Sequence, residues 1–199
     1  MALSSFSRMA ICCAVYLAAQ AAHASPAAGN IVSLQGRGEF RPAAASAWQA
    51  ARLRQDLAQG DFVRTGDLSQ MGILLLPERM QIRLSQNSQL QIKTAADAAA
   101  GTQTLIRLNE GRSWGAARGG PPRAPSEPPL RVETPSATLS IRGTDWELEV
   151  GPDGRTQLVV LSGRVEMANE RGEVSVGAGE GAVAEIGRAP VKVQIVNPR

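Results

Sequence analysis

Short runs of alternating apolar and polar residues, separated by glycine-containing turns, limit what this chain can fold into. The alternation is clear in residues 80–84, 146–150 and 191–195. It places every second side chain on one face of an extended strand, so these runs predict β-strands with a buried face. Turn signals such as Gly66-Asp67 and Gly151-Pro-Asp-Gly154 separate the runs. The spacing of strands and turns predicts an all-β fold that is solenoid-like or sandwich-like.

One stretch near the start of the expected mature chain departs from this pattern. Leu53 and Leu57 are four residues apart within residues 48–59, and Gly60 follows as a stop signal. A spacing of four places two side chains on one face of a helix. We therefore expect one short helix there.

The N-terminus has the features of a secretory signal peptide. Arg8 precedes an apolar segment that is too short to span a bilayer comfortably, and Ala22-His23-Ala24 supplies small residues at the cleavage positions. We expect residues 1–24 to be removed, which leaves a periplasmic β domain over residues 25–199. An uncleaved membrane anchor is the alternative.

Cleavage would restrict the chemistry available to the mature chain. Cys12, Cys13 and His23 are the only cysteines and the only histidine, and all three precede the expected cleavage site. Disulfides, the usual zinc ligands, and nucleophilic catalysis by Ser-His or Cys-His pairs would then be lost. We expect no metal, no cofactor and no enzymatic activity.

The charge pattern gives little support to nucleic acid as a partner. The whole chain has 21 basic residues, and removal of Arg8 would leave 20 of them against 18 acidic residues. The basic residues are scattered along the sequence. A nucleic-acid binder concentrates them on one face. The longest later aliphatic run, over residues 73–76, is far too short to span a membrane.

Residues 119–131 are rich in proline and glycine, and they predict either a linker or a long surface loop.

The sequence also contains two pairs of short segments that resemble each other. Residues 102–112 and 156–164 each run from a strand pattern into a Gly-Arg pair, and residues 63–67 resemble residues 141–145. These internal similarities fit a fold that repeats one strand-turn unit.

A change of phase occurs between residues 139 and 150. Leu139 and Ile141 place odd-numbered residues on the apolar face, whereas Trp146 and Leu148 place even-numbered residues there. One straight strand cannot satisfy both patterns. A bulge or tight kink at Gly143 would change the phase, because glycine tolerates the required backbone conformation.

The same region carries a family resemblance. Residues 132–150 include a Thr-Pro pair, an apolar alternation, an Arg-Gly-Thr sequence and an aromatic strand, and they resemble the signature of FecR-type domains. Residues 57–66, 82–90 and 156–167 are similar to further segments of that family, in the same order. The positions of this chain that match the signature are Thr134, Pro135, Arg142, Gly143, Thr144, Asp145 and Trp146. We expect the polar members to bond nearby backbone groups and to act as a structural motif.

The resemblance implies a periplasmic all-β domain that receives a signal from an outer-membrane receptor. The regulators that name the family also contain a cytoplasmic anti-sigma segment and a transmembrane helix. We identify neither in this sequence, and therefore do not expect direct control of a sigma factor. Without sigma-factor control, the resemblance implies a sensing or adaptor module that binds another envelope protein. That partner is either an outer-membrane receptor or an inner-membrane signalling protein.

Two other functions compete with this one. Trp48 and Trp114 could form a stacking surface for an envelope polymer or carbohydrate if they lay side by side, although core packing is the usual role of tryptophan. Asp145, Glu147 and Glu149 lie on one face of a predicted strand, and paired carboxylates can hydrolyse glycosides. A row of acidic residues on a solvated strand face is, however, ordinary alternation.

Overall fold

The computed structural model describes residues 27–76, 79–97, 101–117 and 130–194. The predicted signal peptide and nearly all of the predicted Pro-rich segment lie outside these residues.

The described residues form β-strands and no helix, which confirms the predicted all-β class. The strands are β1 (Gly29–Gln35), β2 (Gly38–Arg41), β3 (Gln49–Ala50), β4 (Asp56–Leu57), β5 (Phe62–Thr65), β6 (Gln70–Leu75), β7 (Met80–Leu84), β8 (Gln89–Asp97), β9 (Gly101–Ala117), β10 (Leu130–Glu133), β11 (Thr138–Ile141), β12 (Asp145–Val150), β13 (Thr156–Ser162), β14 (Arg164–Asn169), β15 (Gly172–Gly177), β16 (Gly181–Ala184) and β17 (Val191–Val193).

The strands form two layers that share the long strand β9. Layer 1 has the order β4, β1, β6, β7, β9, β12, β13, β16, β17. Layer 2 has the order β3, β2, β5, β8, β9, β10, β11, β14, β15. The first part of β9 pairs in layer 2 and its last part pairs in layer 1. β10 lies parallel to β9, whereas neighbouring strands elsewhere in the two layers are antiparallel.

A single hydrophobic core lies between the two layers. Burial alternates along the strands, so each layer turns one face inward. Ile73 of layer 1 and Leu90 and Val132 of layer 2 are at most 1% exposed and belong to the same buried cluster. This arrangement is the sandwich-like form of the predicted fold, because removal of both inner faces from water stabilises the pair of layers.

Left-handed backbone occurs at every described place where the chain passes between layers, and also in some turns within layer 1. Each described crossing contains a residue with positive φ: Gly36, Arg54, Gly60, Leu68, Asn87, Gly111, Gly143, Gly163 and Gly179. The two similar segments that end in a Gly-Arg pair, residues 102–112 and 156–164, coincide with two of these crossings. The crossings are at Gly111 within β9 and at Gly163 between β13 and β14. The repeated unit is therefore a strand followed by a turn into the other layer.

The predicted helix over residues 48–59 is wrong. This segment contains the short strands β3 and β4, with a turn between them. Leu53 is 57% exposed whereas Leu57 is fully buried, so the two leucines share no packed face. Arg54 has a φ of 63°, a left-handed conformation that interrupts a right-handed helix. Its N–H donates to the Ile31 carbonyl, which attaches the segment to β1 instead.

Candidate functional site

The stretch that resembles the family signature is divided by β11 into two separate structures. Thr134 and Pro135 lie in the turn between β10 and β11, whereas residues 142–144 connect β11 to β12. The two parts therefore lie at opposite ends of a four-residue strand. The structure does not bring the motif residues together into one site.

Three buried hydroxyl groups hold the turn between β10 and β11. Ser136 donates to Thr156 Oγ1 over 2.8 Å, Thr156 donates to Thr134 Oγ1 over 2.8 Å, and Thr134 donates to the Ala137 carbonyl over 3.0 Å. The Ala137 N–H donates back to Thr134 Oγ1. The hydroxyls of Thr134 and Thr156 thus act as both donors and acceptors. The turn is consequently rigid, since any displacement would leave a buried polar group unpaired.

Gly143 lies at a crossing between layers. Ile141 is buried in layer 2 and Trp146 is buried in layer 1, which confirms the predicted change of phase. Of the two predicted alternatives, a bulge or a tight kink, the turn between β11 and β12 corresponds to the kink, because the phase changes between two strands of different layers. The register of β12 against β13 also shifts, between Asp145 and Trp146. Gly143 has a φ of 60°, and a Cβ at this position would meet nothing within 4 Å. Backbone conformation alone thus favours glycine there.

The polar residues at this crossing do not all make the backbone bonds that we expected. Thr144 is fully buried, and its Oγ1 has no hydrogen-bond partner among the described residues. Asp145 contributes its backbone N–H, which donates to Ser162 Oγ over 3.1 Å. Arg142 is exposed. The described contacts at this crossing involve the backbone and core packing.

Trp146 packs in the core, as its phase predicts. It is fully buried and lies over Gly115 of β9, where a Cβ would come within 2.7 Å of the indole Nε1. Gly115 is the direct cross-strand partner of Trp146. The missing side chain of this glycine makes the space that the indole occupies.

The other two tryptophans do not share a surface. Trp48 lies edge-on to Phe62 of layer 2, with ring centroids 6.5 Å apart, and the Arg64 guanidinium lies 4.2 Å from its ring. Trp114 lies in the part of β9 that belongs to layer 1, with Arg83 5.5 Å from its ring. The side-by-side arrangement that would favour a polymer-binding surface is not formed.

Two of the three carboxylates in the row on β12, those of Glu147 and Glu149, are engaged by one arginine. Arg112 Nη2 lies 2.7 Å from Glu149 Oε2, and Arg112 Nε lies 3.4 Å from Glu147 Oε1. The hydrogen bond to Glu149 raises the pKa of Arg112, and the nearby charges of both glutamates add to this effect. No group of three or more metal-ligating side chains occurs in the described part of the chain. The row thus has the arrangement of a surface ion-pair network.

A polar groove of about 670 Å³ lies at one end of layer 2. Lys93, Arg107 and Glu133 contribute side chains from the adjacent strands β8, β9 and β10, and the Thr134–Ala137 turn forms part of the rim. Sequence reasoning missed these three residues. Each occupies a polar position of a strand, and local pattern alone does not indicate that the strands are neighbours.

Among the described residues, the last strand of each layer, β17 and β15, pairs with a neighbouring strand along one side only. β17 pairs with β16 along one side, and Val191 and Val193 are 56% and 40% exposed. Lys192 Nζ donates to Glu180 Oε2 over 2.7 Å, and this bond lowers the pKa of the Glu180 carboxyl. β15 pairs with β14 along one side and carries the exposed polar residues Glu173 and Ser175. Of the two edges, β17 is the more apolar.

In the described ranges, no helix has the length and apolar character needed to cross a membrane.

Comparison with known proteins identifies one family and one similar fold. A family model described as FecR protein matches residues 61–166, which is more than half of the chain. Two crystal structures of a candidate anti-sigma factor from Parabacteroides distasonis ATCC 8503, at 1.65 and 2.50 Å resolution, share the fold with a TM-score of 0.54 and 15% sequence identity. Each match covers 67% of this chain and 59% of that protein, so this chain corresponds to less than two thirds of its relative. No curated protein matches the chain.

Proposed function

The chain belongs to the FecR family, and on that premise we propose that it is a non-catalytic sensing or adaptor module of the periplasm that binds another envelope protein. The partner is an outer-membrane receptor or an inner-membrane signalling protein. The location rests on the predicted signal peptide, so mass spectrometry of the exported protein should give Ser25 as its first residue. Retention of Cys12 and Cys13 in the exported protein would contradict the proposed location.

The open apolar edge at β17 is the observation that carries this proposal. An unpaired strand edge presents backbone N–H and C=O groups to which a partner can add a strand. The opposite ends of the layers offer less, because β3 and β4 have two residues each. Exposed Val191 and Val193 would supply apolar contacts to an added strand, in addition to the main-chain hydrogen bonds.

Site-specific photo-cross-linking in cells tests the proposal. A photo-reactive phenylalanine analogue replaces Val193 in one strain and Leu53 in another, since Leu53 is exposed to a similar extent but lies far along the chain from β17. We expect one discrete protein adduct from position 193 and none from position 53. Val191→Lys should reduce the adduct at least tenfold, because a charged side chain on an edge opposes strand addition.

The matched variant Leu53→Lys adds the same charge away from the edge and should leave the adduct at its original yield. Failure to obtain any adduct from position 193, or an equal adduct from position 53, would contradict binding at this edge. We propose no second function, since the separation of Trp48 and Trp114 removes the arrangement that would have favoured a polymer binder.

A further inference from the structure

The polar groove in layer 2 has the size and construction of a binding site. Its floor follows a row of cross-strand partners, in which Arg107 pairs with Glu133, Glu133 with Thr138, and Thr138 with Ala168. Its volume of about 670 Å³ is within the range that small ligands and short peptide segments occupy. The row runs across four neighbouring strands, so the floor is part of the sheet itself.

Arg107 is the unusual residue of this floor. Its side chain is partly buried, and its Nε is shielded from solvent without a hydrogen-bond partner in the described residues. A shielded donor of a charged group is costly to leave unpaired. A guanidinium presents its N–H groups as a planar fork, and the two oxygens of a carboxylate match that fork. Because Arg107 is only partly buried, its guanidinium can turn towards the groove. A bound anion would then give the shielded Nε–H an interaction that the protein alone does not make.

The acidic residues of the groove do not satisfy this arginine. Glu133 is engaged by Lys93, whose Nζ lies 2.7 Å from Glu133 Oε2. Glu170 and Arg171 lie together on the opposite rim. The groove thus holds three basic and two acidic side chains, with the acid of its floor already paired. The remaining positive charge favours an anion.

One wall of the groove is apolar. Pro135 is exposed, and Ile186 is 64% exposed. Both flank Gly154, where a Cβ would lie 2.9 Å from Ile186 Cδ1 and 3.1 Å from Pro135 Cβ. Arg107 and this wall line the same groove, so a ligand with a carboxylate on Arg107 that extends along the groove would reach the wall. The chemistry that fits both features is an acidic side chain next to an apolar one.

The rim is held in place before any ligand arrives. Asn169 Nδ2 lies 3.0 Å from the Ser136 carbonyl and 2.7 Å from the Arg188 carbonyl, which joins the Thr134–Ala137 turn to the β16–β17 connection. The buried hydroxyls beneath the turn fix it further. A preformed rim lowers the entropy lost on binding.

From these features we propose that the groove binds an acidic peptide segment of the partner protein, with a glutamate or aspartate carboxylate on Arg107 and an apolar side chain against Pro135 and Ile186. The inference rests on the proposed function, because it assumes a protein partner. It gives that partner a second contact, separate from the edge at β17.

Fluorescence anisotropy with the exported protein tests the groove. The probe is a labelled peptide Gly-Leu-Glu-Leu-Glu-Gly with an amidated C-terminus. The control is the equally amidated Gly-Leu-Gln-Leu-Gln-Gly, in which neutral amides of similar shape replace the two side-chain carboxylates. We expect the glutamate peptide to bind at least tenfold more tightly than the control. Arg107→Gln should weaken the glutamate peptide at least tenfold, and Arg171→Gln on the exposed rim should weaken it severalfold. Arg52→Gln, which removes an exposed charge in the turn between β3 and β4, should change nothing.

Equal binding of the two peptides, or an affinity that neither Arg107→Gln nor Arg171→Gln lowers, would overturn the proposal. Displacement of the peptide by inorganic phosphate at equal concentration would overturn the assignment to a peptide and indicate a general anion site. The test is independent of the cross-link at Val193. A cross-link without peptide binding would refute the groove and leave the proposed function standing, whereas peptide binding without a cross-link would refute the proposed edge.

Discussion

Two crossings between the layers have the same left-handed backbone conformation but differ in the hydrogen bonds of their buried hydroxyl groups. In the serine corner (residues 87–88) and the threonine corner (residues 143–144), a left-handed residue precedes a fully or almost fully buried hydroxyl residue at the start of a strand. Each hydroxyl residue packs against a left-handed glycine of a neighbouring crossing. These glycines are Gly111 and Gly163, and a Cβ on either one would overlap the hydroxyl residue that faces it.

The hydroxyl groups of the two corners have different partners. In the serine corner, Ser88 Oγ accepts a hydrogen bond from the Arg112 N–H over 2.9 Å. In the threonine corner, the methyl group of Thr144 faces the glycine and its Oγ1 has no partner in the described part of the chain. The shared requirement is therefore a left-handed residue followed by a buried hydroxyl residue that faces a glycine. Hydrogen bonds of that hydroxyl to described residues are an addition that only the serine corner has. The signature residues at positions 142–146 span this corner, and we predict that they maintain it.

Replacement of Gly111, the glycine that faces the serine corner, should have the largest effect. Gly111 has a φ of 94°, and a Cβ there would lie 2.5 Å from Ser88 Cα, which is backbone and cannot move aside. We expect Gly111→Val to lower the free energy of unfolding by about 4 kcal/mol, from backbone strain and overpacking together. Gly187→Val is the control, because Gly187 has a φ of 77° but open space around it. Urea unfolding that gave equal losses for both variants would contradict the packing component.

Replacement of Gly143, the left-handed residue of the threonine corner itself, should introduce backbone strain alone, because a Cβ there meets nothing within 4 Å. Gly143→Val adds a β-branched side chain at a φ of 60° without a clash, so we expect a loss of about 1–3 kcal/mol in the free energy of unfolding. Gly143→Asn should cost less, because asparagine tolerates the left-handed region. Thermal and urea unfolding of both variants would measure the difference. If valine were tolerated as well as asparagine, the left-handed requirement at this corner would be refuted.

Removal of the two buried hydroxyl groups should change the free energy of unfolding least. It should also separate the two corners most clearly, because only the hydroxyl of Ser88 is hydrogen-bonded to described residues. Ser88→Ala removes the acceptor of the Arg112 N–H, and we expect it to cost about 1–2 kcal/mol. Thr144→Val keeps the shape of the side chain and removes a buried hydroxyl that bonds to no described residue, so its effect should lie between zero and a slight stabilisation. Both are measured by urea unfolding. A larger loss for Thr144→Val than for Ser88→Ala would reverse the comparison.

The fold could be predicted as far as local pattern determines it. Alternation identified the strands around Trp146, and the change of phase near Gly143 identified a joint, because side-chain direction in a strand depends only on position. The two similar segments that end in a Gly-Arg pair, residues 102–112 and 156–164, indicated two crossings. Leu68 and Asn87 perform the same role without glycine, and Leu68 in particular gives no backbone signal in the sequence. The helix prediction failed because four-residue spacing occurred by chance in a segment that pairs with β1.

The groove could not be predicted from the sequence. Lys93 and Glu133 are 40 residues apart and form an ion pair because β8, β9 and β10 are neighbours in layer 2. The parallel pairing of β10 with β9 follows from how the chain returns to layer 2, and short-range pattern carries no information on it. Thr134 and Pro135 were visible as part of the signature, but their place on the rim depends on the same strand order.

Asp145→Asn tests most directly whether residues 142–146 form a structural corner while partner binding occurs at the β17 edge. The free energy of unfolding is measured together with the yield of the cross-link from position 193. Because Asp145 contributes its backbone N–H to Ser162, we expect the free energy of unfolding to change by less than about 0.5 kcal/mol and the cross-link to form at its original yield. Loss of the cross-link at an unchanged free energy of unfolding would show that the corner is itself a binding site.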